Sequence, residues 1–285
     1  CEKPPARNFY EAKDMYNAVR KACVKNMIGF NYRRVPAIAL AKKLIDEGRL
    51  GEIRHFRGLY LQDWIIDPEF PVTWHLQKEK AGAGVHIDLN SHLIDLSRCL
   101  VGEHEKVVGM TKTFIQERPS LAEGSTFGAR GGEGRGKVDV DDATVFMTKF
   151  KNGAIGCFEA TRFAGGRKNH LSFEINGSKG SIKFNFEEMN RLKFYSMEDP
   201  NFLRGFKDIL VTENNHPYIS VWWPPGHLIG YENTFINQFA DFFKSYDEEI
   251  NPKPDFEDAL KCQQVIDAVL RSAEEGRWVD ISEIQ

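Results

Sequence analysis

Side-chain alternation through the middle of the chain limits the possible folds more than any other feature. Thr144, Phe146, Thr148 and Phe150 fall at every second position, Asn152-Gly153 supplies a tight turn, and Ala154 to Thr161 returns. The pattern repeats in Leu171–Asn176 and Ser181–Phe186 across a Gly177–Gly180 turn, and Arg191–Ser196 adds a further strand. A period of two puts the apolar side chains of each strand on one face. The expected unit is therefore α+β, built on a run of mostly antiparallel strands. Asn176-Gly177-Ser178 matches a glycosylation sequon, but the hairpin turn accounts for it.

Helical spacing flanks this region. Asn8 with Glu11 resembles a capping box ahead of Ala12, Met15, Tyr16 and Val19. Met27-Ile28-Gly29-Phe30 reads as a short buried strand. A helix follows from Pro36, with Ala37, Leu40, Ala41, Leu44 and Ile45 inward and Gly48 as its stop. Helix, strand and helix packed this tightly resemble the close of a βαβ layer, so the layer is expected to begin before Cys1. Asp199–Gly226 reads as a long functional loop. Helices over Tyr231–Tyr246 and Asp255–Glu275, the second ended by Gly276, close the chain.

Composition excludes several classes. The 285 residues carry 38 Lys plus Arg against 41 Asp plus Glu, a net charge of −3, which disfavours a nucleic-acid partner. No apolar run approaches the ~20 residues of a membrane span. Five scattered cysteines suit a reducing compartment, hence the cytoplasm, better than a disulfide framework.

Candidate chemistry sits in a few places. Gly131-Gly-Glu-Gly-Arg-Gly-Lys137 has P-loop spacing, but Val138 stands where a Mg²⁺-binding hydroxyl belongs, and it reads as a flexible loop. No Gly-x-Gly-x-x-Gly fingerprint occurs. Ala81-Gly-Ala-Gly84 supplies a permissive loop before a helix to Gly102, with Leu89, Leu93, Leu96 and Leu100 as its buried stripe. Asp88 and His92, four residues apart, share the neighbouring face. They form either an acid/base unit in which the aspartate holds and charges the imidazole, or a cap and a core histidine. His86, Asp88 and His92 as metal ligands is a third reading, though His86 and His92 fit one helical face poorly. Phe56, Tyr60, Gln62 and Trp64 alternate along a strand over Ile53–Trp64, a wall suited to a sugar or an amphipathic strand with a solvated face. Lys3 before Pro4, the Asn31–Arg34 stretch and Trp74-His75 are weaker candidates.

These segments in this order resemble the Gfo/Idh/MocA oxidoreductases, the glucose–fructose oxidoreductase and inositol 2-dehydrogenase group. The likeness rests on Cys1-Glu-Lys-Pro4, Gly29-Phe-Asn-Tyr-Arg33, Leu44–Gly48 with Gly51-Glu-Ile, Asp88-x-x-x-His92 with Asp95, and Gly230–Phe235. The resemblance implies an α/β protein: a C-terminal α+β domain with a large, mostly antiparallel open sheet, preceded by the tail of a Rossmann-type parallel domain. It divides the chain into residues 1–33, the remnant of the nucleotide domain, and 34–285, the substrate and oligomerisation domain. It implies oxidation of a sugar or cyclitol hydroxyl by hydride transfer to NAD or NADP, with Lys3, Asp88 and His92 catalytic. Glu2, Lys3, Asn31, Arg33, Trp74 and His75 would lie at the cofactor, and Tyr60, Gln62, Trp64, His86 and Tyr231 at the substrate. Family members usually have arginine in place of His75 and a small or apolar residue in place of His86. Roughly a hundred residues of nucleotide domain would precede Cys1, so this chain alone is expected to bind dinucleotide poorly. A homo-oligomer formed through the open sheet is expected. The competing expectations are a catalytically silent sugar-binding fragment or paralogue, and a metal-dependent hydrolase or isomerase.

Overall fold

The computed structural model describes residues 1–122 and 131–285. Strand β1 (Ile53–Leu61) buries Phe56 and Tyr60 on one face, as the alternation requires. It is followed by β2 (His104–Lys112), β3 (Glu117–Leu121), β4 (Gly131–Lys137), β5 (Ala143–Phe150), β6 (Ile155–Thr161), β7 (His170–Gly177), β8 (Gly180–Asn185), β9 (Arg191–Ser196), β10 (Lys207–Leu210) and β11 (Val279–Asp280). Nine of them form one sheet in the order β10-β9-β8-β7-β1-β6-β5-β2-β11, while β3 and β4 pair separately. Among the described residues, β1 and β6 make the one parallel pair, with Arg57 opposite Cys157. The sheet is thus large and mostly antiparallel.

The helices are α1 (Phe9–Ala22), α2 (Pro36–Asp46), α3 (Lys78–Ala81), α4 (Val85–Asp88), α5 (Asn90–Leu100), α6 (Tyr231–Asp247) and α7 (Phe256–Glu275). α2, α5 and α7 pack on the sheet, and α1 packs on α7. The Phe9 amide donates to Asp267 Oδ2 at 2.7 Å, tying α1 to α7. Between sheet and helices a row of rings fills the core. Phe146 stacks on Phe158 at 4.4 Å, and Phe158 on Phe56 at 4.9 Å. Alternate residues of the same strands point the other way, so Met110, Val145, Met147 and Ile155 are exposed.

Several local expectations need correction. Met27–Phe30 is buried but forms no ladder. Its partners are single residues: the Cys1 amino group donates to Met27 O, the Gly29 amide to Cys1 O, and the Ile28 amide to Pro254 O. The glycine-rich segment 131–137 is strand β4 rather than a flexible loop, since β3 lies beside it to take its backbone bonds. Asp199–Gly226 contains β10, which extends the sheet from β9. At α1, Asn8 accepts the Glu11 amide, but the Glu11 carboxylate turns to Arg7 instead of closing a reciprocal box. β1 ends at Leu61, so Gln62 and Trp64 stand beyond the strand.

Candidate active site

The parallel pair orients the site. β1 and β6 run in the same direction and end together at Leu61 and Thr161, and the next residues in each chain segment are Gln62 and Arg162. Ligands commonly bind at the carboxyl ends of parallel strands, where loops carry side chains past the sheet. Asp88 is delivered there by α4, whose start is locked in place. Asp141 accepts the Gly84 amide (2.7 Å) and the His86 amide (2.8 Å), and Gly84 has no room for a Cβ.

Lys3 arrives from the amino-terminal turn. Its ammonium donates to the Asp88 carbonyl at 2.9 Å and to Asp88 Oδ1 at 2.8 Å. Arg162 Nη2 donates to the other oxygen, Oδ2. Burial pushes the Asp88 carboxyl up, but the charges of Lys3 and Arg162 outweigh it and hold the group well below the usual carboxylate range.

His92, in the first turn of α5, is buried and stacks on Tyr32 with ring centres 4.0 Å apart. Burial, reinforced by the Lys3 charge, pushes its imidazole well below the ordinary value, while Asp88 opposes more weakly. At neutral pH it is uncharged and able to take a proton. Beyond it, the Tyr32 and Tyr60 hydroxyls are 2.7 Å apart, and Tyr60 donates to Asn169 Oδ1 at 2.8 Å. Gln62 Nε2 reaches the same oxygen at 3.0 Å, and Trp64 Nε1 donates to Gln62 Oε1 at 2.9 Å. Burial pushes Tyr32 up to about 12 and Tyr60 well above its usual value, so both remain donors. Trp64 and Trp74 are partly exposed around His75, with Trp74 stacked on its ring at 3.6 Å. Burial and the Arg162 charge push His75 down. Tyr231 lies across Tyr32, its ring centre 6.3 Å away, and is half exposed.

The structure thus links Lys3, Asp88, His92, Tyr60, Gln62, Trp64, His75 and Tyr231 in one cluster of contacts, with Glu2 exposed beside Gly29. It separates others. His86 is fully buried, with Nε2 on the Ile266 carbonyl at 3.1 Å and Nδ1 on the Asn90 amide group at 3.0 Å, so it does not face a substrate. The Arg33 guanidinium turns inward to Asp95 (2.8 and 2.5 Å), because a buried carboxylate holds a planar donor fork better than an open pocket does. It is not free for a cofactor. Asn31 is buried and donates to Thr234 Oγ1 at 2.8 Å. Asp88 does not hold His92, because two cations compete better than a neutral imidazole for its oxygens. Among the described residues, no three His, Cys, Asp or Glu side chains converge as metal ligands.

Sequence reasoning missed Arg162, Tyr32 and Asn169. Arg162 follows β6, which pairs with its sequence neighbour β5 on one side and with the distant β1 on the other, and nothing in its local spacing points to Asp88. Tyr32 lies in the Asn31–Arg34 stretch beside two arginines, and its place against His92 depends on a helix sixty residues further on.

Residues 38–183 match the GFO/IDH/MocA C-terminal domain. The levoglucosan dehydrogenase of Pseudarthrobacter phenanthrenivorans is 46% identical over 100% of this chain and 74% of its own length. An oxidoreductase domain protein from Kribbella flavida superposes with a TM-score of 0.93 at 48% identity, over 99% of this chain and 74% of that one. A levoglucosan dehydrogenase in complex with NADH and levoglucosan gives a TM-score of 0.92 at 44% identity, covering 99% and 72%.

Proposed function

The chain belongs to the GFO/IDH/MocA family of sugar and cyclitol dehydrogenases, and on that premise we propose that it oxidises a secondary hydroxyl of an anhydrosugar such as levoglucosan, using NAD. The observation that carries this reading is a buried, neutral His92 beside a Lys3–Asp88 pair, beneath a partly exposed aromatic wall. Two of the three ammonium protons of Lys3 are engaged by Asp88, which leaves one to donate to the substrate oxygen. That contact steadies the charge developing on oxygen while His92 takes the hydroxyl proton. Trp64 and Tyr231 offer apolar faces, and Gln62 and Asn169 polar edges, to a compact ring carrying several hydroxyls.

The exposed residues at the edge of this cluster fit one end of a nicotinamide cofactor. Glu2 and the exposed Trp74–His75 stack would flank the ring, whereas Arg33 and Asn31 face inward. When bound, the nicotinamide supplies the acceptor for the hydride leaving the carbinol carbon. In this reading residues 1–33 belong to the nucleotide-binding part and 34–285 to the substrate part, with Lys3 reaching the sugar from the first and Trp74 and His75 reaching the cofactor from the second.

The test follows reduced cofactor formation by the full-length protein on levoglucosan, common aldoses and myo-inositol, with NAD and NADP in parallel. We expect NAD-linked turnover on levoglucosan above the others. No turnover with any of them would remove the reading. The exposed sheet face with Met110, Val145, Met147 and Ile155 is read as a contact between copies of the chain. Light scattering should then give a multiple of the protomer mass, and a monomer would reject it.

A further inference from the structure

The proposed chemistry uses Lys3, Asp88 and His92 and leaves Arg162 without a task. The Arg162 side chain is only 1% exposed. Nη2 is bound to Asp88, but Nε and Nη1 are buried without a hydrogen-bond partner, and the guanidinium carbon lies 4.9 Å from the Trp64 ring centre. Burying a cation with two unmatched N–H groups is costly. The position therefore calls for a role that the charge itself performs.

Asp88 has three possible partners: Lys3, Arg162 and His92, which lies one helical turn further on. A carboxylate beside an imidazole ordinarily takes its N–H and raises its affinity for a proton. Here Lys3 occupies Oδ1 and Arg162 occupies Oδ2, while His92 Nδ1 is buried without a partner. We infer that Arg162 is a positioning residue: it keeps the Asp88 carboxylate turned toward Lys3 and away from His92, so that His92 stays a neutral base. The charged and titratable groups around this pair are Lys3 from the amino-terminal turn, Tyr32 before α2, Tyr60 on β1 and His75 before α3. Arg162 reaches Asp88 from the end of β6, apart from all of these, and holds the carboxylate oxygen that Lys3 does not.

The inference rests on His92 as the base, so its test includes a readout that needs no turnover. Imidazole resonances of the full-length protein are followed by NMR across pH, with His92 assigned by comparison with H92N. In the wild type, burial and the Lys3 charge should keep His92 unprotonated well below the pH at which a free imidazole titrates. In R162Q the midpoint should rise by about one pH unit, a tenfold gain in proton affinity, and the acid limb of kcat/KM should move with it. R162K keeps a charge but loses the planar fork, and should move the midpoint about half as far. An unchanged midpoint in either soluble variant overturns the role, as does lost turnover with an unmoved acid limb. A midpoint that moves in a protein without NAD-linked turnover supports the positioning role and removes the dehydrogenase reading.

Discussion

Replacing His92 with asparagine should lower kcat about a thousandfold, within the range that a positioned general base contributes. The buried imidazole is held neutral by its surroundings and stands against Tyr32, while the Asp88 carboxylate is already engaged by Lys3 and Arg162, so the substitution removes the base that the proposed chemistry uses. Asparagine keeps a polar group of similar reach and leaves the Lys3–Asp88 pair intact. Affinity for NADH should therefore stay within about twofold of the wild type, because the lost interaction belongs to the transition state rather than to binding. Steady-state rates and a fluorescence titration with NADH on the full-length protein separate the two quantities. Turnover within tenfold of the wild type would defeat the assignment of His92 as base.

Gly84→Ala should be as damaging, through structure first. A Cβ at this position would lie 1.9 Å from the Asp141 carbonyl oxygen and within about 3 Å of that residue's backbone carbon and nitrogen. None of these atoms can rotate aside, so the Asp141 backbone must move. That displacement disrupts the hydrogen bonds that start α4, along with the Thr144 contact to the same carboxylate. The expected cost is about 3 kcal/mol or more, comparable to severe overpacking of a core. Because α4 carries Asp88, activity should fall more than tenfold even in the fraction that folds. Gly153→Ala is the control. Its φ of +89° costs an alanine about 1 kcal/mol, but nothing lies within 4 Å of the added methyl group. Urea unfolding of both variants decides the matter. Equal midpoints would show that close approach is not what Gly84 provides.

Gly84 also shows how far local reading reaches. In the sequence it belongs to a glycine-rich stretch that looks permissive, and a loop before a helix is what the chain builds there. Gly82 does adopt a left-handed conformation (φ +82°). Gly84 does not; it is needed because Asp141, fifty-seven residues later, packs against it. His86 fits the same account. Its spacing from Asp88 suggests a functional histidine, yet the carbonyl that binds it comes from α7, one hundred and eighty residues away.

The layer of alternating strands, the hairpins at Asn152-Gly153 and Gly177–Gly180 and the positions of the long helices were legible in the sequence, because periodicity and turn chemistry are local. That Lys3 acts with Asp88 and His92 was implied only by the family resemblance. Only the tertiary structure decided which partners the charged groups take. A buried guanidinium or carboxylate binds whatever opposite charge the fold brings within about 3 Å, and that depends on contacts distant in sequence. Arg33 therefore goes to Asp95, Arg162 to Asp88, and His92 is left neutral between its rings.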